Sequence, residues 1–258
     1  MDASRQTAWH GGHAGKDQIR AEVWAKLKQQ GVARGDPVGH IPNVVGSDEA
    51  SARLAALPVW QQARIVKCNP DAAQAAVRLR ALQEGKILYM AVPRLTQDRC
   101  FVELTADSLQ AQGVALETAA THRGAMQAGR LVAFAEMMAI DLVVVGCVAV
   151  SRDGSRTGKG AGFADIELGI LRQFGLVQPQ TPIVTTVHPL QIVPEGRLPM
   201  LAHDWSLTWI VTPEQVWRTS SQRLQPAGLI WAHIQAEQWD AIPVLRRLRE
   251  QKRCRLDG

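Results

Sequence analysis

The chain has 258 residues, of which 46% are hydrophobic and 21% are charged, and its formal net charge is +5. This length and composition allow a large buried core and exclude global disorder. Six basic and two acidic residues lie between Arg246 and Gly258, so most of the excess positive charge is in the tail, which excludes a uniformly basic nucleic-acid-binding domain.

Targeting and redox signals favour an intracellular setting. The first residues lack the hydrophobic stretch of a secretory signal, and the longest apolar run, Leu142–Val150, is too short to span a bilayer. The four cysteines are far apart and form no CxxC pair, which argues against a disulfide framework. We therefore expect a soluble, cytoplasmic protein that is not associated with a membrane.

The N-terminal region is expected to be a mobile arm over residues 1–14, followed by a helix from Lys16. Apolar residues at Ile19, Val23 and Leu27 recur at helical spacing. Gly31 provides a stop. A second helix is predicted from Ser47 up to Pro58.

A strand, helix and strand are predicted next, over 63–68, 70–83 and 86–92. Asn69 is placed as the N-cap of that helix, with Pro70 in its first turn. A further helix is predicted over 123–138 from its apolar spacing.

The valine-rich run at 141–150 is predicted to be a central parallel strand, because a continuous apolar run suits a strand that is covered on both faces. Further strands are predicted at 181–187 and 207–211. The alternation of strands and helices predicts an α/β fold with three layers, in which an open, mostly parallel sheet has helices on both faces.

The C-terminal part, residues 221–258, is predicted to be a basic helical extension that contains tryptophans and docks on the main domain of residues 15–220. Apolar residues such as Trp231, Trp239 and Leu245 recur at helical spacing. The basic residues after Arg246 could contact RNA phosphates, or they could form the solvated face of a terminal helix.

A glycine-rich basic loop at Arg156–Asp165 follows the valine-rich run and precedes a predicted helix. Glycines at 158, 160 and 162 let the backbone approach a ligand closely. Successive backbone N–H groups and a helix N-terminus attract anions, and Arg156 and Lys159 add positive charge. A phosphate-binding loop is the favoured interpretation, and a tight strand-to-helix connection is the alternative.

This loop resembles the signature of the 5-formyltetrahydrofolate cyclo-ligase family, Arg-x-Gly-x-Gly-x-Gly-Tyr-Tyr-Asp after a valine-rich strand. Arg156, the three glycines and Asp165 fall on the matching positions. The family's N-terminal Lys-x-x-x-Arg helix is matched by Lys16 and Arg20, and its His-Asp pair is matched by His203-Asp204. The resemblance covers roughly residues 15–215 and is most similar to the methenyltetrahydrofolate synthetase domain-containing branch.

The resemblance implies a cyclo-ligase fold of the NagB, RpiA and CoA-transferase type, which is Rossmann-like. It also implies ATP- and Mg²⁺-dependent conversion of 5-formyltetrahydrofolate to 5,10-methenyltetrahydrofolate. Arg156 and Lys159 would then be catalytic, Asp165 would hold Mg²⁺, and His203 and Asp204 would shape the site. The residues expected to bind ATP phosphates are Lys16, Arg20, Gly158, Gly160, Ala161, Gly162 and Phe163.

Two departures from the family pattern keep a second hypothesis open. Phe163 and Ala164 replace the paired tyrosines, and the stretch Val66–Asp71 has no clear counterpart of an acidic residue that the family uses on the folate side. The alternative is a non-catalytic nucleotide- or phosphate-binding paralogue with a regulatory or RNA-contacting role.

Overall fold

The computed structural model of the chain describes residues 13–92, 95 and 99–256, apart from the side chains of 251–256. Most of the expected N-terminal arm lies outside these residues. The helices are α1 Ala14–Gln29, α2 Ser47–Ala55, α3 Pro58–Gln61, α4 Ala75–Gln83, α5 Ala106–Ala111, α6 Leu116–Ala120, α7 His122–Ala128, α8 Phe163–Gln173, α9 Ala236–Ala241 and α10 Pro243–Leu256. The strands are β1 Ile65–Cys68, β2 Ile87–Ala91, β3 Phe101–Leu104, β4 Arg130–Val132, β5 Leu142–Val144, β6 Ala149–Val150, β7 Arg156–Thr157, β8 Ile183–Thr186, β9 Trp209–Val211 and β10 Val216–Arg218.

The main sheet has the strand order β10-β9-β8-β5-β1-β2-β3-β4. The five strands from β9 to β2 are parallel, and β10, β3 and β4 add antiparallel pairs at the two edges. Helices cover both faces: Val143 belongs to the core cluster that contains α8, whereas Leu142 and Val144 belong to the cluster that contains α2 and α4. The predicted three-layer, mostly parallel α/β fold is confirmed.

The valine-rich run forms the predicted central strand only in its first part. β5 lies between β1 and β8, but the chain leaves the main sheet at Gly146 and forms β6, which pairs with β7 in a small antiparallel sheet. A Cβ on Gly146 would lie 2.9 Å from the side chains of Gln74 and Ile41. The glycine therefore permits a close crossing that a continuous apolar pattern does not reveal.

The helix predicted over 123–138 is wrong in its second half. α7 ends at Ala128, and β4 pairs with β3 as an antiparallel strand that the sequence did not indicate. A Cβ on Gly129 would lie 1.9 Å from the side chain of Val102 on β3. This glycine lets the chain turn directly against the sheet, while the 3₁₀ turn at Phe134–Glu136 preserves a helix-like apolar spacing.

The start of the helix predicted over 70–83 is also different. A 3₁₀ turn occupies Ala72–Gln74, and α4 begins at Ala75. Asn69 is not the N-cap, because its side-chain oxygen accepts a hydrogen bond from the Lys67 ammonium at 2.7 Å. The hydrogen bond between Lys67 and Asn69 thus takes the place of the helix-capping interaction that the sequence position of Asn69 suggests.

The C-terminal residues pack on the face of the sheet that carries α8. Ile242 and Leu245 are fully buried within that core cluster, and Leu229 and Trp239 pack against it. Among the described residues, no helix is long and apolar enough to cross a membrane.

Candidate functional site

A cavity of about 760 Å³ lies at the carboxyl-terminal edge of the parallel strands. Residues that come after β1, β2 and β5 line it, including Asn69, Val92 and Gly146. Ligands of open α/β sheets bind at this edge, and the volume is within the range of small-molecule sites. The glycine loop lies at this edge, because residues 156–167 form one wall of the cavity.

The glycine loop runs from Gly158 to Gly162 and connects β7 to α8. Gly160 and Gly162 have φ angles of +117° and +70°, a region that side chains with a Cβ rarely adopt. Gly162 is the N-cap of α8, so the loop delivers the chain into a helix N-terminus beside the cavity. Arg156 and Thr157, which were expected in the loop, form β7 instead.

Lys16 and Arg20 approach the loop from α1 and are buried, so they do not form a solvated helix face. Arg20 donates to the Thr157 hydroxyl at 2.6 Å and to the Gly158 carbonyl at 3.4 Å. A Cβ on Gly160 would lie 3.5 Å from the Arg20 guanidinium. The loop therefore wraps closely around Arg20.

Each predicted cation of the site has a carboxylate partner. Lys16 pairs with Asp204, and Arg20 with Asp17 at 2.5 Å. Arg156 pairs with Asp165 at 2.5 Å, and Lys159 with Asp71 at 3.0 Å. An anionic ligand must therefore share or displace these carboxylates, and the pairs hold the cations in place before it arrives.

Arg156 is only 2% exposed, which distinguishes it from Lys159. Its Nε donates to the Trp205 carbonyl at 2.9 Å, and its Nη2 donates to Asp165. Burial works against the charged guanidinium, but the negative charge of Asp165 and other neighbours outweighs burial and raises the pKa of Arg156. These contacts tie β7 to α8 and to the segment before β9.

Asp165 lies in the first turn of α8, and Phe163 is the first residue of that helix. Asp165 accepts from Arg156 and from the Trp205 backbone N–H, both through Oδ1, so Oδ2 is the oxygen that could bind a cation. In the part of the chain described, no group of three or more His, Cys, Asp or Glu residues could hold a metal by itself. A magnesium ion here would need ligand phosphates to complete its coordination, which is how this ion commonly binds.

His203 and Asp204 also line the cavity, in the segment before β9, next to Trp205, which contacts Arg156 and Asp165. Asp204 accepts from the Leu201 N–H at 2.6 Å and pairs with Lys16, so it orders the loop. The Nδ1 atoms of His203 and His233 are 2.9 Å apart. Burial lowers the pKa of His203, although the charge of Asp204 opposes this effect.

Sequence reasoning missed several residues of the site. Lys67 and Glu167 form a buried ion pair, and Glu167 lines the cavity. A lysine inside an otherwise apolar strand signals a buried partner, but nothing in the sequence identifies that partner. Gln238, whose side chain donates to the Ala161 carbonyl at 3.0 Å, has no local signal at all.

Comparison with known proteins places this site in a family. Residues 13–213 match the model of the 5-formyltetrahydrofolate cyclo-ligase family. The chain belongs to this family. The match includes Lys16, the glycine loop and Asp204, so these elements of the cavity lie within the cyclo-ligase family region.

Two curated relatives of this cyclo-ligase family chain are methenyltetrahydrofolate synthase domain-containing proteins. Those of Bos taurus and Homo sapiens are each 36% identical over 239 residues, which is 92% of this chain and 62% of the relative. The chain thus spans less than two thirds of their length. The solved NMR structure of Aquifex aeolicus 5,10-methenyltetrahydrofolate synthetase covers 84% of this chain and 97% of its own, with a TM-score of 0.50 and 20% identity. This similarity supports the shared fold.

Proposed function

We propose that this protein binds ATP with Mg²⁺ in the cavity and converts 5-formyltetrahydrofolate to 5,10-methenyltetrahydrofolate in the cytoplasm. The observation that carries the proposal is the arrangement of Lys16, Arg20 and Lys159 around the glycine loop, at the edge of the sheet where a large cavity opens. Membership of the cyclo-ligase family supports the substrate.

The residues of the loop would bind the phosphates of ATP. The N–H groups of Gly158–Gly162 and the N-terminus of α8 supply oriented donors and positive potential. Lys159, whose side chain is 45% exposed, is free to rotate from Asp71 toward a phosphate. Lys16 and Arg20 would neutralise phosphate charge from α1.

Asp165 is the proposed ligand of Mg²⁺, through Oδ2, together with phosphate oxygens. Arg156 would hold Asp165 in position rather than touch the phosphates, because its Nη2 donates to Asp165 and its Nε donates to the Trp205 carbonyl. Its catalytic contribution would therefore be made through the carboxylate.

ATP would supply the phosphoryl group that activates the formyl oxygen, so that N10 closes the ring and phosphate leaves. The work of the protein is to position the two substrates and stabilise the phosphoryl charge. Lys159 is placed to balance negative charge on the transferred group.

The experiment is absorbance at the methenyl-folate band, recorded with purified protein, 5-formyltetrahydrofolate and Mg-ATP. Growth of the band in the wild type, and a much slower growth in Lys159→Ala, is expected. Lys159→Ala is a better test variant than Arg156→Ala, because the Lys159 side chain lies at the surface and its removal should leave the fold intact. No band with folded wild-type protein would overturn the proposal.

A second candidate is a nucleotide-binding paralogue without cyclo-ligase activity. It is favoured by the stretch Val66–Asp71, where the resemblance leads one to expect an acidic residue and where Lys67 instead pairs with Glu167. Retained ATP binding without the absorbance band would select this candidate.

RNA contact by the basic tail stays a prediction. In the structure, Arg246 is paired with Asp240, and Arg249 lies over the Trp239 ring.

A further inference from the structure

The C-terminal segment, residues 228–238, lines the cavity although it lies beyond the region that matches the family model. The lining includes 228–230, 233–235 and 238, whereas the family match ends at residue 213. The segment therefore adds a wall to the site that the matched region does not supply.

This wall is attached to the helix that follows the glycine loop. A Cβ on Gly169, in α8, would lie 3.0 Å from the Leu229 side chain, and a Cβ on Gly228 would lie 2.9 Å from Gln173. Beyond the segment, Ile242 and Leu245 are fully buried in the core. The segment is thus held on both sides by packing against the domain.

Gln238 connects this wall to the glycine loop. It is 5% exposed, and its Oε1 accepts from the Gln235 N–H at 3.0 Å while its Nε2 donates to the Ala161 carbonyl at 3.0 Å. A Cβ on Gly162 would lie 3.0 Å from the same Nε2. Both ends of the amide are therefore occupied, one in its own helix and the other in the loop.

We infer that Gln238 is a positioning residue that holds the glycine loop in the shape that binds phosphate, an inference that rests on the proposed function. In a trans peptide the carbonyl and the following N–H point in opposite directions. A bond to the Ala161 carbonyl therefore fixes the Gly162 N–H on the side of the loop away from Gln238. A loop that is fixed before the ligand arrives loses less conformational freedom on binding.

The test compares Gln238→Met with Trp239→Leu in the full chain. Methionine keeps the size of glutamine but makes neither hydrogen bond. Trp239 is the next residue and stacks on Trp231 with 5.7 Å between ring centroids. It is not among the residues that line the cavity, so its loss weakens docking of the segment without touching the loop.

Two readouts are needed. Calorimetric titration with Mg-ATP should show that Gln238→Met weakens binding by about fivefold or more, as expected for the loss of one buried hydrogen bond that organises the loop. Trp239→Leu should bind within about twofold of the wild type, with a similar or larger fall in Tm. Equal loss of affinity in both variants, or none in Gln238→Met, would overturn the inference.

Hydrogen exchange measured by mass spectrometry separates this inference from the proposed function. Amides of residues 158–163 should exchange faster in Gln238→Met than in the wild type or Trp239→Leu, with no nucleotide present. Failure of the wild-type protein to bind ATP would contradict the proposed function. Unchanged hydrogen exchange in Gln238→Met would contradict only the positioning role of Gln238.

Discussion

Lys67, on the central strand β1, forms an ion pair with Glu167 on α8, and both side chains are buried. The pair joins the middle of the sheet to the helix that begins at the glycine loop. Burial raises the pKa of Glu167, and the charge of Lys67 opposes this effect. We therefore expect the Lys67–Glu167 ion pair to help hold α8, and with it the glycine loop, in position.

Removing only one partner of this pair should be strongly destabilising. We expect Lys67→Met to lower the free energy of unfolding by about 3–5 kcal/mol, because it leaves the Glu167 carboxylate buried without its cation. The double variant Lys67→Met/Glu167→Leu should be more stable than Lys67→Met alone. Urea unfolding of the wild type, both single variants and the double variant measures the coupling; additive effects would contradict it.

The cost of Lys67→Met should also depend on pH. Without Lys67 the pKa of Glu167 rises further above its ordinary value of 4.5. A folded-state pKa above the unfolded value gives stability that is present at low pH and is lost as pH rises through it. Because burial already raises the pKa of Glu167 in the wild type, both proteins lose this stability alike up to the wild-type folded-state pKa. The deficit of Lys67→Met should therefore grow only once the pH passes that pKa, and a deficit that stays constant with pH would contradict this assignment.

Lys159 and Arg156 should respond differently to replacement by alanine. Lys159 is half-exposed and pairs with Asp71, so Lys159→Ala should change stability by no more than about 1 kcal/mol and weaken ATP binding about tenfold or more. Arg156 is buried with Asp165, and Arg156→Ala should cost about 3–5 kcal/mol. Thermal unfolding and ATP titration distinguish them; a wild-type Tm for Arg156→Ala would be inconsistent with its buried contacts.

Alanine substitutions at Gly162 and Gly158 should affect stability and ligand binding differently. Gly162→Ala places a Cβ at a φ of +70° and 3.0 Å from Gln238, which should cost about 1–2 kcal/mol. A Cβ on Gly158 meets no atom within 4 Å, so Gly158→Ala should change stability by less than about 0.5 kcal/mol. If phosphate approaches the Gly158 backbone, this variant should lose ATP affinity while its Tm is unchanged; unaltered affinity would place the phosphates elsewhere.

His203 should make stability fall in mild acid. Burial lowers the pKa of His203 below its ordinary value of 6.5. The negative charges of Asp204 and Asp165 oppose this shift, whereas Lys16 and His233 add to it. The unfolded chain then binds a proton more readily than the folded chain, so stability falls as pH drops from 6.5 through the folded-state pKa. The Tm of His203→Gln should fall less over this range. His188, whose pKa burial also lowers, is present in both proteins, and equal slopes would exclude His203 as the cause.

The sequence by itself determined the class of the fold and the location of the glycine loop. Continuous valines indicate a strand covered on both faces, and glycines at 158, 160 and 162 between a strand and a helix indicate a loop that approaches a ligand. These are local signals, because they depend on backbone freedom and on the periodicity of apolar residues. The resemblance to the cyclo-ligase signature also rests on these glycines, together with Arg156 and Asp165.

Only the tertiary structure decided which charges meet. Lys67 and Glu167 are 100 positions apart, Lys16 and Asp204 are 188 positions apart, and Ala161 and Gln238 are 77 positions apart. The break of the valine run at Gly146 and the strand at Arg130–Val132 also depend on close contacts with distant side chains. Pairing of buried polar groups is a property of the folded packing, and no local pattern specifies the partner.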